Sequence, residues 1–209
     1  MLDNWDAYTV NRSMNTTIGT AQTVLSKSES INTTNQNIYI SRFVSTPINQ
    51  TSIAANTWTL NIAVKCSSSN PYYPSYSTDF IPSCLYVWRP SSGTKVGTIF
   101  DGLSSTKTNQ LGNLNEYVSV VNFTGSAVTG TQAGDIIVLE AMAGTNGFNQ
   151  SGTYTFYYYF DGTTVNNTDN SATSNEAAYI STPENITFYT STPITNNLFV
   201  SKAFFVSDK

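Results

Sequence analysis

The sequence predicts an all-β fold, a jelly-roll-like antiparallel β-sandwich with N- and C-terminal extensions, and four observations predict it. Hydrophobic residues make up 39% of the 209 positions and charged residues only 11%, enough apolar material to bury one substantial core. The polar remainder is dominated by Thr, Ser and Asn, while the Ala, Leu, Glu and Lys that fill soluble helices are scarce. Thirteen Tyr and eleven Phe suit a pleated, half-buried surface. Finally, short segments of period two are separated by turn signals at the spacing of a sandwich, with no helical pattern between them.

Taken in order, residues 1–45 alternate weakly and carry a long Ser/Thr/Asn run over 26–37. They read as an extended arm that joins the sheet through the strand-like segment 38–44, or as an ordinary first strand and loop. The body, 46–190, opens with the clearest strand, where Trp58, Leu60, Ile62 and Val64 alternate with Thr57, Thr59, Asn61 and Lys65. That alternation puts one face in the core and the other in solvent. Further strands are expected at 85–89, 96–100, 117–123, 135–141, 154–160, 178–181 and 185–189, with a last one at 198–206 in the C-terminal segment 191–209. Turn signals divide them, including Ser92-Gly93, Asp101-Gly102, Gly112-Asn113, Gly130, Ala133-Gly134 and Asp161-Gly162.

Charge and termini exclude several functions. The net charge is −4 and the nine basic residues are scattered singly, so no nucleic-acid footprint is expected. Apolar runs are far shorter than the roughly 20 residues of a spanning helix, and no membrane partner is expected. The opening Met1-Leu2-Asp3-Asn4-Trp5-Asp6 lacks the basic start and apolar run of a secretory signal.

Catalysis is not expected either. The sequence contains no histidine, which removes the commonest general base, the Ser-His-Asp and Cys-His systems and most zinc sites. Asp101, Asp135, Glu140 and Asp161 lie beside strands and could form a glycosidase pair. Asp101 and Asp161, however, sit in Asp-Gly turns, where Asp is chosen for backbone hydrogen bonding. Without an Asp-x-Asp-x-Asp-Gly run, no metal or other cofactor is expected.

Three groups of residues are candidates for binding and assembly. Tyr72, Tyr73, Tyr76 and Phe80 in a proline-bearing loop, with Trp88 on the next strand, form a candidate contact patch, because Tyr offers a stiff apolar body with a polar tip. Cys66 ends one strand and Cys84 begins the next, so antiparallel pairing of the two would bring both to the mouth of one loop. A disulfide there would contribute roughly 3 kcal/mol by loop closure, and two buried free thiols are the alternative. Leu198, Phe199, Val200, Phe204, Phe205 and Val206 are too apolar to hang free. They need their own sheet or a neighbour's edge, and an assembly role is expected.

The stretches Tyr86-Val87-Trp88-Arg89-Pro90-Ser91-Ser92-Gly93-Thr94-Lys95-Val96-Gly97, Gly134-Asp135-Ile136-Ile137-Val138-Leu139-Glu140 and Thr182-Pro183-Glu184-Asn185-Ile186-Thr187-Phe188 resemble those of β-sandwich virion proteins of tailed phages. That resemblance covers about 57–190 and implies a capsid decoration, fibre or tail-associated part at the virion surface. It also implies partners among other virion proteins and further copies of the chain, while the rings of the contact patch suit either a host-surface glycan, by stacking on the C-H faces of a pyranose, or burial under a neighbouring subunit. The texture is similar to that of carbohydrate-binding modules and cell-surface adhesins, which share the architecture but not the function.

Overall fold

The structure is a computed structural model and describes residues 11–15, 23–31, 36–68, 78–102, 110–111, 117–145, 152–160, 162–163, 178–189 and 197–203. Among them are fourteen strands and no helix: β1 (Asn11–Asn15), β2 (Thr23–Ile31), β3 (Gln36–Ser45), β4 (Ser52–Ile53), β5 (Asn56–Ser68), β6 (Thr78–Arg89), β7 (Thr94–Asp101), β8 (Gln110–Leu111), β9 (Tyr117–Gly125), β10 (Val128–Thr129), β11 (Ile136–Thr145), β12 (Gly152–Phe160), β13 (Tyr179–Ser181) and β14 (Asn197–Ala203).

Eight of these strands form the body. One sheet runs β2-β12-β5-β9 and the other β3-β11-β6-β7, every neighbouring pair antiparallel. Numbering the eight in chain order, the first sheet holds the first, eighth, third and sixth, and the second holds the second, seventh, fourth and fifth. That order is the doubly wound Greek key of a jelly roll. The expected class is therefore the observed one.

Strand alternation fills the space between the sheets. Trp58 and Leu60 of β5, Phe123 of β9 and Tyr158 and Phe160 of β12 face Phe43 of β3, Leu85 and Val87 of β6, Ile99 of β7 and Ile137 and Leu139 of β11 in one buried cluster. Rings cross the gap: Phe43 lies 5.6 Å from Tyr158 and 6.0 Å from Phe160, and Phe100 lies 4.1 Å from Phe123. The layers meet so closely at Gly125 that a Cβ there would stand 2.6 Å from Trp58 Cδ1 and 2.8 Å from Ile99 Cγ2. Only glycine fits that position. A short β4-β10 ribbon adds buried Ile53 and Val128 to the same core.

The chain ends stitch the sheets together. β13 follows β12 along one edge of β5, β14 pairs with β13 and with β1, and β1 pairs in parallel with β3. A continuous hydrogen-bonded path thus links the first sheet to the second.

Several expectations are corrected here. The segment 23–45 contains two integral strands of the jelly roll, one in each sheet, so the body begins well before residue 46. Segment 185–189 is not a strand, and its one ladder contact is the bridge from Phe188 to Ile48. β5 and β6 do not pair, because β5 lies against β12, β13 and β9 while β6 lies against β11, β7 and β8. The premise of the Cys66–Cys84 bridge fails with that pairing, and Cys84 is a free, buried thiol. Leu198, Phe199 and Val200 are not a lone strand seeking a neighbour, since β14 is paired on both sides within its own chain.

Candidate functional site

The outer face of the β3-β11-β6-β7 sheet gathers most of the described polar chemistry. Because side chains alternate across a strand, the residues that do not enter the core line up in cross-strand rows. The first row runs Arg42, Glu140, Cys84, Asp101 from β3 to β7, each directly opposite the next. Arg42 and Glu140 are both 0% exposed. Arg42 Nη2 donates to Glu140 Oε1 at 2.9 Å, and Tyr86 Oη donates to the same oxygen at 3.0 Å. Two buried charges meet inside a hydrogen-bonded network, as burial requires.

Cys84 Sγ donates to Asp101 Oδ1 at 3.6 Å. Its thiol is pushed up to about 12, first by burial and then by the neighbouring carboxylates of Asp101 and Glu140. A thiol held protonated is a poor nucleophile. Glu140, fixed between Arg42 and Tyr86, has the geometry of a structural ion pair.

Beside this polar row lies an apolar one, Val44, Val138 and Tyr86, followed by Ile136, Trp88 and Lys95. Cys84, Tyr86 and Val138 are buried there, while Val44, Trp88 and Ile136 pack against them half-buried. The sheet therefore carries a second, smaller apolar layer on the face turned away from the core. Next to it Arg89 grips Asp135 in a two-pronged pair, Nε to Oδ1 and Nη2 to Oδ2 at 2.9 Å each, and also donates to Gly130 O at 2.8 Å. Asp135 Oδ2 in turn accepts from Gln132 N at 2.9 Å. These bonds tie the 130–135 turn, with its positive-φ Gly130 and Gly134, to the end of β6.

The other sheet differs. On its outer face Asn61 of β5 lies opposite Tyr179 of β13, and Thr59 lies opposite Ser181 and Asn122. Thr59 Oγ1 donates to Asn122 Oδ1 at 2.7 Å. Tyr157 and Tyr159 of β12 stand opposite Lys65 and Ala63 farther along the same strand.

Of the expected contact patch, Trp88 is placed half-buried on the outer face of the β3-β11-β6-β7 sheet. The backbone of Phe80 pairs with Ala143, and Tyr72, Tyr73 and Tyr76 lie outside the described residues. Cys66 pairs through its backbone with Phe156, far along the sheet path from Cys84. Phe204, Phe205 and Val206, like Asp161, lie outside the described residues. The ion pair of Arg42 was not legible in the sequence, because its partner stands 98 residues away and nothing local marks an arginine as buried.

No known protein family matches the chain, and no curated protein matches it. Among solved structures, a chain in the structure of infectious bursal disease virus, Gx strain, is similar, with a TM-score of 0.35 and 12% sequence identity over 69% of this chain and 33% of that one. The chain thus spans about a third of the length of the one it matches. At that TM-score the likeness carries no functional weight.

Proposed function

We propose that the chain is a virion structural protein, a capsid decoration or tail or fibre component at the virion surface, that works by assembling with other virion proteins and with copies of itself. Binding, with no chemical turnover, is its activity in this reading. The strand order supports it, since double-sheet jelly rolls of this winding are a recurrent architecture of viral capsid and lectin domains. Architecture alone does not choose between those two.

The observation that carries the choice is the second apolar layer on the β3-β11-β6-β7 sheet. Val44, Trp88 and Ile136 sit half-buried over buried Tyr86 and Val138, a contiguous apolar surface on the side of the sheet away from the core. Surfaces of this kind mark protein contacts, and a half-exposed Trp is a frequent anchor of them.

Sedimentation velocity across a range of concentrations tests the reading. The full chain should form a discrete closed oligomer, and Trp88→Lys should shift it to monomer while the melting temperature stays within a few degrees. A chain that remains monomeric at the highest attainable concentration, or oligomers indifferent to Trp88→Lys and Ile136→Lys, would refute it. Antibody labelling or mass spectrometry of purified particles then places the protein on the virion.

A further inference from the structure

Three long strands of the body have a single ladder partner among the described residues: β2 pairs with β12, β7 with β6 and β9 with β5. An open edge offers unpaired backbone N–H and C=O groups that another extended strand can complete, so folded proteins blunt their edges with charge, bulges or cover. β2 carries Lys27 and Glu29. β7 carries exposed Lys95, its register with β6 shifts twice, and its Ile99 O already accepts from Ser126 N at 2.7 Å.

β9 has none of these devices. Its nine residues, Tyr117-Val118-Ser119-Val120-Val121-Asn122-Phe123-Thr124-Gly125, contain no charge and no proline. All nine pair with β5 in unbroken register, from Tyr117 opposite Val64 to Gly125 opposite Asn56. Valine, Thr and aromatic residues give the segment a strong preference for the strand. Burial in the core accounts for Phe123, but not for an outer edge left long, straight and uncharged.

We infer that β9 is a docking edge for a second copy of this chain: the β9 strands of two copies pair antiparallel about a two-fold axis and join their β2-β12-β5-β9 sheets into one. Strand addition of this kind takes its affinity from main-chain hydrogen bonds. A two-fold contact sets a strand against itself. An uncharged strand then meets no like charge in any register, whereas β2 paired with itself about Lys27 would bring two lysines opposite each other. A ladder of nine residues is a modest contact beside the roughly 1,200–2,000 Å² of a stable interface. It therefore acts between closed oligomers, whose several copies present several edges at once. The inference rests on the proposed function only for those oligomers.

Hydrogen exchange of the full chain, read peptide by peptide beside sedimentation at rising concentration, tests it. The outward-facing amides of 117–125 should exchange freely in dilute solution and slow about tenfold as closed oligomers associate further, while those of β2 and β7 keep their rates. Asn122→Lys combined with Thr124→Lys, both at exposed positions, should abolish the slowing and the further association, with the closed oligomer and the melting temperature unchanged. If the pair fails to fold, Thr124→Lys alone gives the same readout. Outward amides already slow in the dilute chain, no slowing on concentration, slowing that survives the lysines, or slowing only after another virion protein is added would each overturn the inference. Slowing at 117–125 together with oligomers indifferent to Trp88→Lys would sink the Trp88 reading alone. Closed oligomers lost with Trp88→Lys but no slowing at 117–125 would sink the edge alone.

Discussion

At the scale of residues, the row Arg42, Glu140, Cys84, Asp101 shows how one sheet face pairs its buried charge. Arg42 Nη2 donates to Glu140 Oε1, and Tyr86 adds a donor to the same oxygen. Breaking such a pair is costlier than removing it. Arg42→Met alone or Glu140→Leu alone should destabilise by about 3–5 kcal/mol, because each strands a buried charge, whereas the double replacement by apolar residues should cost far less. Urea unfolding of the four members of this cycle measures the difference, and additive single effects would show that the two side chains do not act as a unit. The Cys84 thiol gives a second expectation, this time in pH. Its folded value of about 12 lies above its ordinary 9.0, so the folded state retains the proton while the unfolded state releases it. The stabilisation is complete below pH 9 and is lost as pH rises from there towards about 12. Iodoacetamide at pH 8 should label Cys84 only after denaturant is added, as peptide mass mapping would reveal. Rapid labelling of the native protein would contradict the burial.

At the scale of elements, what the sequence made legible depended on how each strand is buried. β5 has a clean alternation because one face meets the core and the other does not, and Trp58 and Leu60 at 0% and 1% exposure confirm the side they take. β2 was missed for the opposite reason. It is paired only with β12 among the described strands, its Val24, Ser26 and Ser28 are exposed, and Leu25 alone of its described side chains packs against the core. A strand of Ser, Lys and Glu reads as a loop, although its cross-strand bond from Ser28 to Thr155 at 2.8 Å is ordinary sheet chemistry. Polar composition of this sort also protects an edge from pairing with other chains. β14 was legible as a strand, but its partners were not, because they lie at Tyr179–Ser181 and near the N-terminus. Its pairing reverses the consequence of deleting it. Removal of residues 191–209 should expose unpaired backbone on both β13 and β1 and lower the melting temperature by on the order of 10 °C, each kcal/mol being worth roughly 2–4 °C in a chain of this size. Calorimetry of the truncated protein checks this, and an unchanged transition would mean that β14 is dispensable to the fold.

At the scale of the whole molecule, composition was enough to reach the jelly roll's class but not its pairing order, since each sheet is assembled from strands distant in the chain. The Cys66 and Cys84 expectation failed on that point: neighbours in sequence were assumed to be neighbours in the sheet, and the double winding sends β5 and β6 to opposite layers. The same winding has a kinetic consequence. The first and last body strands, β2 and β12, are adjacent, and the Ser28–Thr155 bond closes a separation of 127 residues. The Phe43–Tyr158 and Phe43–Phe160 contacts that join the layers are similarly remote. Loop-closure entropy must be met before any of these contacts forms, and folds dominated by non-local strand pairing accordingly reach their native state in about milliseconds to seconds even at smaller size. Refolding of this 209-residue chain should therefore take on the order of seconds or longer. Stopped-flow fluorescence after dilution from urea would follow burial of Trp58 and Trp88. A double-jump protocol, in which the chain is unfolded too briefly for its seven prolines to isomerise, separates topological slowness from prolyl isomerisation. Slow recovery should persist after the brief unfolding. Complete recovery within a few milliseconds under those conditions would mean that the native pairing is reached through local contacts, which this strand order does not provide.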